Sequence, residues 1–407
     1  MTGPATIDDQ GCRVAAQRPA VDPVLVDRVR ARLAAAGGPL TSTAVAAAVR
    51  AESGGVATDL DVLAALRVLR QEFVGAGPLD ELLRDPRTTD VLVNGGGSVW
   101  VDRGAGLERA SVRLPDEAAV RRLAQRLALA AGRRLDDASP CVDGWLADAG
   151  VRIHAVLAPV AADGTCLSLR VLRPAAHSLA SLHAGGALDP TAEALLRSVL
   201  AARLALLVSG GTGAGKTTLL NAMLGEVDPR ERIVLVEDSE ELRPRHPHVV
   251  RLVARAANVE GAGGVPLRDL VRHALRMRPD RLVVGEVRGA EVCDLLAALN
   301  TGHDGGAGTV HANSAREVPA RLEALAATGG LSRPALHSQL AAAVQVVLHV
   351  RRLRSGARVL DVVGVPVRAG GVVEVRPAWT RTGGWADGRA LLGAALADRE
   401  VAAPWNA

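Results

Sequence analysis

One string confines this chain to a narrow set of folds. Gly210-Gly211-Thr212-Gly213-Ala214-Gly215-Lys216-Thr217-Thr218 fits G-x-x-x-x-G-K-[ST], a loop whose backbone N–H groups cradle a polyphosphate. The apolar run at 204–209 precedes it and helical sequence follows it, which is the strand–loop–helix context the motif requires. Phosphate oxygens placed there meet the positive end of the helix dipole and its unpaired N–H groups. Composition singles out the same place. Of 48 Lys plus Arg residues, Lys216 is the only lysine. A chain that otherwise carries its positive charge as arginine keeps an ammonium here. A compact point charge with rotatable donors can follow the β- and γ-phosphates, and a planar guanidinium does not fit the same space.

At 407 residues the chain is too long for one ordinary core, so two or three domains are expected. Aromatics make up only 1% of it, with Phe73, five Trp and no Tyr, so the cores must be built from Leu, Val and Ala. The same scarcity removes the stacking platforms that single-stranded nucleic acid uses, which disfavours nucleic acid as a partner. A net charge of +4 equally suits an anionic membrane face or an acidic protein. Cys12, Cys141, Cys166 and Cys293 form no C-x-x-C pair, which argues against zinc and for isolated buried thiols. The N-terminus carries Asp8 and Asp9 and no apolar signal-peptide core. The most apolar stretch, 195–208, is broken by Arg197 and Arg203, short of the roughly 18 apolar residues of a membrane helix. A cytoplasmic protein, peripheral to a membrane at most, is the expectation.

Along the chain, residues 1–20 read as a flexible tail and 21–73 as a helical cap with apolar positions at helical spacing. Residues 74–173 mix strand and helix signals in an α+β domain. A hairpin is expected where Val91-Leu92-Val93 and Val99-Trp100-Val101 flank a glycine-rich turn. Residues 174–190 read as a linker. From 191 to 351 strands and helices alternate, which predicts a parallel sheet covered on both faces. Residues 352–407, rich in Arg and Gly with short Val runs, read as a β appendage.

A magnesium–polyphosphate site needs a hydroxyl and carboxylates around the loop. Thr217 supplies the hydroxyl. Two predicted strands end in acid: 233–236 runs into Glu237-Asp238, and 282–285 into Glu286. Ligands of open α/β sheets lie at the carboxyl ends of the strands, so both acids should face the loop. Glu240 and Glu241 extend the acidic run and are equally compatible with surface or site. His303 and His311 bracket a glycine-rich turn at a spacing that fits no common metal pair, leaving loop contacts near the cleft. Arg268, Arg272 and Arg276 recur every four residues opposite an apolar helix face. Such a stripe is either a solvated face or the source of an arginine finger across a subunit boundary, with Arg276 the candidate.

Four motifs occur in order: GGTGAGKTT at 210–218, RIVLVEDSEEL at 232–242, LRMRPDRLVVGEVRGAE at 275–291 and TGHDGGAGTVHANS at 301–314. With them the chain resembles the ATPases of type II and type IV secretion systems, and among these the CpaF/TadA branch that powers Flp/Tad pilus assembly. Upstream, GPLDELL at 77–83, TDVLVNG at 89–95, GRRLDDASPCVD at 132–143 and GVRIHAVLAPVAADG at 150–164 resemble the family's N-terminal domain, so the likeness spans about 75–350. The resemblance implies a RecA-like P-loop NTPase domain of α/β class, preceded by a smaller PAS-like α+β domain and the helical cap. It implies a homo-hexamer that hydrolyses ATP with Mg²⁺ and drives an inner-membrane platform, working at the inner face of the cell membrane. Gly211, Thr212, Gly213, Ala214, Gly215, Lys216, Thr217 and Thr218 would hold the nucleotide, joined by Arg152 and Arg170 of the N-terminal domain. Thr217 and Glu286 would hold Mg²⁺, the latter through water. Glu286 is expected as the main catalytic acid and Glu237 as the second, with His303 and His311 sensing the γ-phosphate. A conjugal DNA-transfer ATPase, or a nucleotide-gated scaffold with little turnover, are the alternatives.

Overall fold

The computed structural model describes residues 25, 28–29, 31–32, 42–54, 75–146, 149–172, 177–255, 257 and 262–405. The expected tail, most of the expected cap, and residues 174–176 of the expected linker lie outside them. Within the cap, Ser42–Glu52 is helical. The chain divides into two compact units, Met1–Leu172 and Arg173–Ala407.

The first unit is built on a six-stranded antiparallel sheet. Its strands are β1 (Asp90–Asn94), β2 (Ser98–Asp102), β3 (Leu107–Arg113), β4 (Cys141–Leu146), β5 (Val151–Val156) and β6 (Cys166–Val171), in the order β3-β2-β1-β6-β5-β4. The expected hairpin is β1–β2, with Val91 opposite Val101 and Val93 opposite Val99. Alternation then sends Val91, Val93, Ile153, Leu167 and Leu169 to one buried face. Helix α1 (Glu117–Ala130) covers that face with Val120, Leu123, Ala124 and Leu127. Asp116 caps it, its carboxylate accepting from the Ala119 N–H at 2.7 Å.

The second unit contains helices α2 (Pro190–Ala201), α3 (Lys216–Leu224), α4 (Leu267–Leu275), α5 (Glu291–Leu299), α6 (Val318–Thr328), α7 (Arg333–Ala343) and α8 (Arg389–Ala397). Its strands are β7 (Leu206–Ser209), β8 (Ile233–Glu237), β9 (Val249–Val253), β10 (Arg281–Val287), β11 (Ala307–Val310), β12 (Val346–Arg352), β13 (Arg358–Ala369), β14 (Val372–Thr380) and β15 (Gly384–Trp385). They form one nine-stranded sheet, β15-β14-β13-β12-β7-β11-β10-β8-β9. From β12 to β9 every pairing is parallel, as the alternation of elements predicts. The pleat divides the core in two. Leu206, Val208, Ile233 and Leu235 join α2, α3 and α8 on one face. Leu207, Val234 and Val236 join α4, α5, α6 and α7 on the other.

Three expectations are corrected. Residues 352–407 are not a separate appendage. Strands β13 and β14 extend the same sheet antiparallel, and Leu360, Val363, Trp379, Leu392 and Leu396 are buried in its core. The Arg389 guanidinium lies 5.0 and 5.1 Å over the rings of Trp385 and Trp405, tying down the end of the chain. The region read as a linker carries a short helix, Leu179–Ala184, with a reciprocal capping box between Ser178 and Ser181. Leu179 and Leu188 anchor it in the core. The described cysteines are not buried thiols: Cys141 is exposed, and Cys166 and Cys293 are half-buried. Among the described residues no helix is long and apolar enough to cross a membrane.

Candidate nucleotide site

The site lies at the carboxyl edge of the parallel strands. Strand β7 ends at the fully buried Ser209, whose hydroxyl donates to the Leu348 carbonyl at 3.1 Å and lies 3.0 Å from His349 Nδ1. The chain then turns sharply. A Cβ on Gly210 would stand 2.4 Å from the Val350 carbonyl oxygen of the neighbouring strand, so no side chain fits there. Gly215, at φ 98°, takes the left-handed conformation that starts α3 at Lys216. Lys216 is 7% exposed. Its ammonium donates to the carbonyls of Gly210 at 3.1 Å and Gly211 at 3.0 Å, and sits 3.3–3.4 Å from the His311 ring nitrogens.

Glu237 closes β8 and Glu286 lies on β10 beside it. Their different surroundings follow from register. Val284 pairs with Val236, which places Gly285 next to Glu237. A Cβ on Gly285 would lie 2.7 Å from Glu237 Cγ, so glycine is what lets the carboxyl fold inward. Between β10 and β11 the register slips by one residue, from Val284 opposite Gly308 to Val287 opposite Val310. The extra residue re-aims Glu286, and the Thr309 hydroxyl steadies the irregularity by donating to the Gly285 carbonyl at 2.6 Å. Glu286 thereby meets Arg288 and, 2.5 Å away, His311 Nε2.

Glu237 is 2% exposed. Its Oε1 accepts from the Leu242 N–H at 2.9 Å and the Glu241 N–H at 3.2 Å, while Oε2 is buried without a partner. Burial dominates over those two bonds and pushes its pKa up to about 8, with Glu241 and Glu240 adding repulsion. His311 is pushed below the ordinary histidine value by burial, then by Lys216, against the pull of Glu286.

The Glu237 shift has a stability consequence. An unfolded glutamate releases its proton near 4.5 and the folded one near 8, so between those values the folded chain holds the extra proton. Stability must therefore fall as pH rises through that window, by up to about 1.4 kcal/mol per pH unit from this group. Glu237→Gln should flatten this part of the profile in urea unfolding measured from pH 5 to pH 8. An unchanged slope would contradict the assignment. Gly285→Ala should cost about 1–3 kcal/mol in the same assay, because Glu237 is held by two backbone bonds and cannot swing clear. A midpoint shift within error would show that the carboxyl can move.

The structure thus brings together Lys216, Thr217, Glu237, Glu286 and His311 from the sequence-derived set. It separates His303 and Arg276 from them. His303 precedes β11, whose first residue pairs with Leu206 at the amino edge, whereas His311 follows its last. The length of β11, roughly 13 Å, lies between the two histidines. His303 Nδ1 instead lies 3.1 Å from the Ala298 carbonyl near the end of α5. Arg276 is exposed at the C-cap of α4, five residues before β10 begins, and so lies at the same amino edge. Nor is its stripe freely solvated, since Arg268 and Arg272 both grip Asp294 of α5, at 2.6 and 2.8 Å. Arg152 and Arg170 belong to the first unit. They are neighbours across β5 and β6, and pair with Asp143 at 2.8 Å and Asp90 at 3.2 Å.

Two contributors, Arg288 and Arg358, escape the sequence reading, and a third, Glu241, stays open there between surface and site. Glu241 accepts from the Thr217 hydroxyl at 3.3 Å, Arg288 approaches both Glu286 and Asp238, and Arg358 donates to the Gly213 carbonyl at 2.9 Å. The acidic run marked Glu241 as a candidate, and Arg288 lies within the 275–291 motif without being singled out there, but nothing in the C-terminal sequence marked Arg358.

The loop fits a triphosphate: its glycines leave the backbone bare, and a buried ammonium stands beside it. Among the described residues no three His, Cys, Asp or Glu side chains could hold a metal by themselves. Mg²⁺ keeps several waters and takes phosphate oxygens as ligands, so it asks little of the protein beyond a hydroxyl and a nearby carboxylate. The Thr217 hydroxyl would serve it directly, with Glu286 acting through water.

A family model described as type II/IV secretion system protein matches residues 72–381. The chain belongs to this family. A putative conjugal transfer protein of Mycobacterium tuberculosis (strain CDC 1551 / Oshkosh) is 65% identical over 349 residues, covering 84% of this chain and 99% of the relative. The probable conjugal transfer protein TrbB of Sinorhizobium fredii is 32% identical, covering 72% and 88%. Among solved structures, the Legionella pneumophila ATPase DotB aligns with a TM-score of 0.50 at 18% identity, over 69% of this chain and 78% of that one. That likeness concerns the fold, which is RecA-like in the second unit.

Proposed function

We propose that this protein is an ATPase that drives a secretion-type machine, coupling ATP hydrolysis to work on an integral membrane platform as a homo-hexamer. The observation that carries the reading is that His311 lies against both the Lys216 ammonium and Glu286, at the carboxyl edge of the sheet where Glu237 also ends its strand. In this reading the loop N–H groups and Lys216 bind the β- and γ-phosphates, and Thr217 would hold Mg²⁺, which would supply further positive charge there. Glu286 orients the attacking water. Loss of the γ-phosphate releases His311 and Arg288, and that release is the event converted into motion. Retention of both acids speaks against a scaffold with little turnover. Phosphate release by the purified chain should require Mg²⁺, and its absence under every condition would contradict the proposal.

The cargo separates two versions. The sequence resemblance to the CpaF/TadA branch favours pilus assembly, while the names of the relatives favour conjugal DNA transfer. Hydrolysis stimulated by DNA, and losing that stimulation steeply with added salt, would select the second. Hydrolysis indifferent to DNA would select the first.

A further inference from the structure

The C-terminal hairpin reaches the phosphate loop, and strand lengths determine where. Strand β12 lies parallel to β7, with His349 beside Ser209. There β7 ends and becomes the loop, but β12 continues three residues to Arg352. The chain reverses and returns at Arg358, the register partner of Arg352. Arg358 is exposed, yet its side chain lies along the loop. Its Nε donates to the Gly213 carbonyl at 2.9 Å, and its stem runs 3.3–3.9 Å from where a Cβ on Gly215 would stand.

We propose that Arg358 is a positioning residue that holds the outer face of the phosphate loop so that its N–H groups point at the phosphates. The proposal rests on the triphosphate site described above and extends it to a segment that no motif marks. In a trans peptide the C=O and the following N–H point to opposite sides. Tethering the Gly213 carbonyl to one side therefore holds the Ala214 N–H on the other, where it donates to the Gly211 carbonyl at 3.3 Å, a long bond that a phosphate oxygen can replace. A charged donor on the carbonyl also polarises the peptide and strengthens that N–H. The arginine stem packed beside Gly215 occupies space into which the loop could otherwise relax.

The test measures equilibrium binding of MgATP and of inorganic tripolyphosphate to the full-length chain, with turnover in parallel. Arg358→Ala should weaken both ligands by about the same factor, on the order of tenfold, the effect of losing one charge-assisted bond. Its kcat should stay within about twofold and its melting temperature should not move, because Arg358 is exposed and touches no reacting atom. Arg358→Lys, which keeps one charged donor, should recover part of the loss. Arg354→Ala, on the same hairpin, should behave as wild type. Weakening of MgATP alone would mean that the guanidinium contacts the base or sugar, and would overturn the positioning role. Unchanged binding in Arg358→Ala, with binding lost in Lys216→Ala, would overturn it as well. Wild-type binding in Lys216→Ala would show instead that the phosphate-loop reading fails, and the proposal with it. A lowered melting temperature with no recovery in Arg358→Lys would reduce Arg358 to a packing role and equally overturn the proposal.

Discussion

Lys216→Ala is expected to lower Mg²⁺-dependent phosphate release by at least about 100-fold, the order seen when a transition-state donor is removed from a dry site. The variant should stay folded. Its ammonium is held by the Gly210 and Gly211 carbonyls, which lie on the loop rather than in the core. Alanine is also a strong helix former at the first position of α3. Removing the ammonium frees His311 from a repelling neighbour, so its pKa should rise toward the ordinary histidine range. Histidine titration followed by NMR would report that rise, and an unmoved value would place Lys216 elsewhere. Phosphate release at the wild-type rate would end the assignment of Lys216 to catalysis.

Glu286→Gln should lower kcat by about 100-fold or more while leaving KM within about threefold, the pattern of an interaction made only in the transition state. The amide preserves shape and removes the charge. In the wild type Arg288 pairs with that charge, so the swap should also loosen the arginine. Glu237→Gln tests the alternative. Glu237 is buried with a pKa near 8 and must lose a proton before it can act as a base. If Glu237 polarised the water, wild-type turnover would rise steeply toward pH 8 and Glu286→Gln would retain most activity. A loss in Glu286→Gln confined to KM would remove Glu286 from the chemical step.

The loop and the strand tips were legible because each carries a local signature. A glycine string with one lysine marks Lys216, and apolar runs ending in acid mark Glu237 and Glu286. Local pattern could not show which end of a strand a histidine occupies. His303 and His311 look equivalent in sequence, and only the pairing of β11 with β7 shows that one lies at each edge. The one-residue slip that aims Glu286, and the bare Gly285 that admits Glu237, are likewise properties of paired strands rather than of either strand alone. The C-terminal segment misled for a different reason. Its short valine runs read as an isolated β element because the edge they complete, β12, lies outside the motif-bearing region. Arg358 belongs to that segment and carries no pattern that would single it out.

In the proposed site a triphosphate with Mg²⁺ sits on the loop at Lys216, at the edge where Glu237 and Glu286 end their runs. Solving the structure with Mg²⁺ and a non-hydrolysable ATP analogue tests it most directly. Phosphates should be cradled by 211–217, with the Lys216 ammonium moved off the Gly210 and Gly211 carbonyls onto the β- and γ-oxygens. The metal should lie beside Thr217. Nucleotide bound elsewhere, with the lysine still on those two carbonyls, would contradict it.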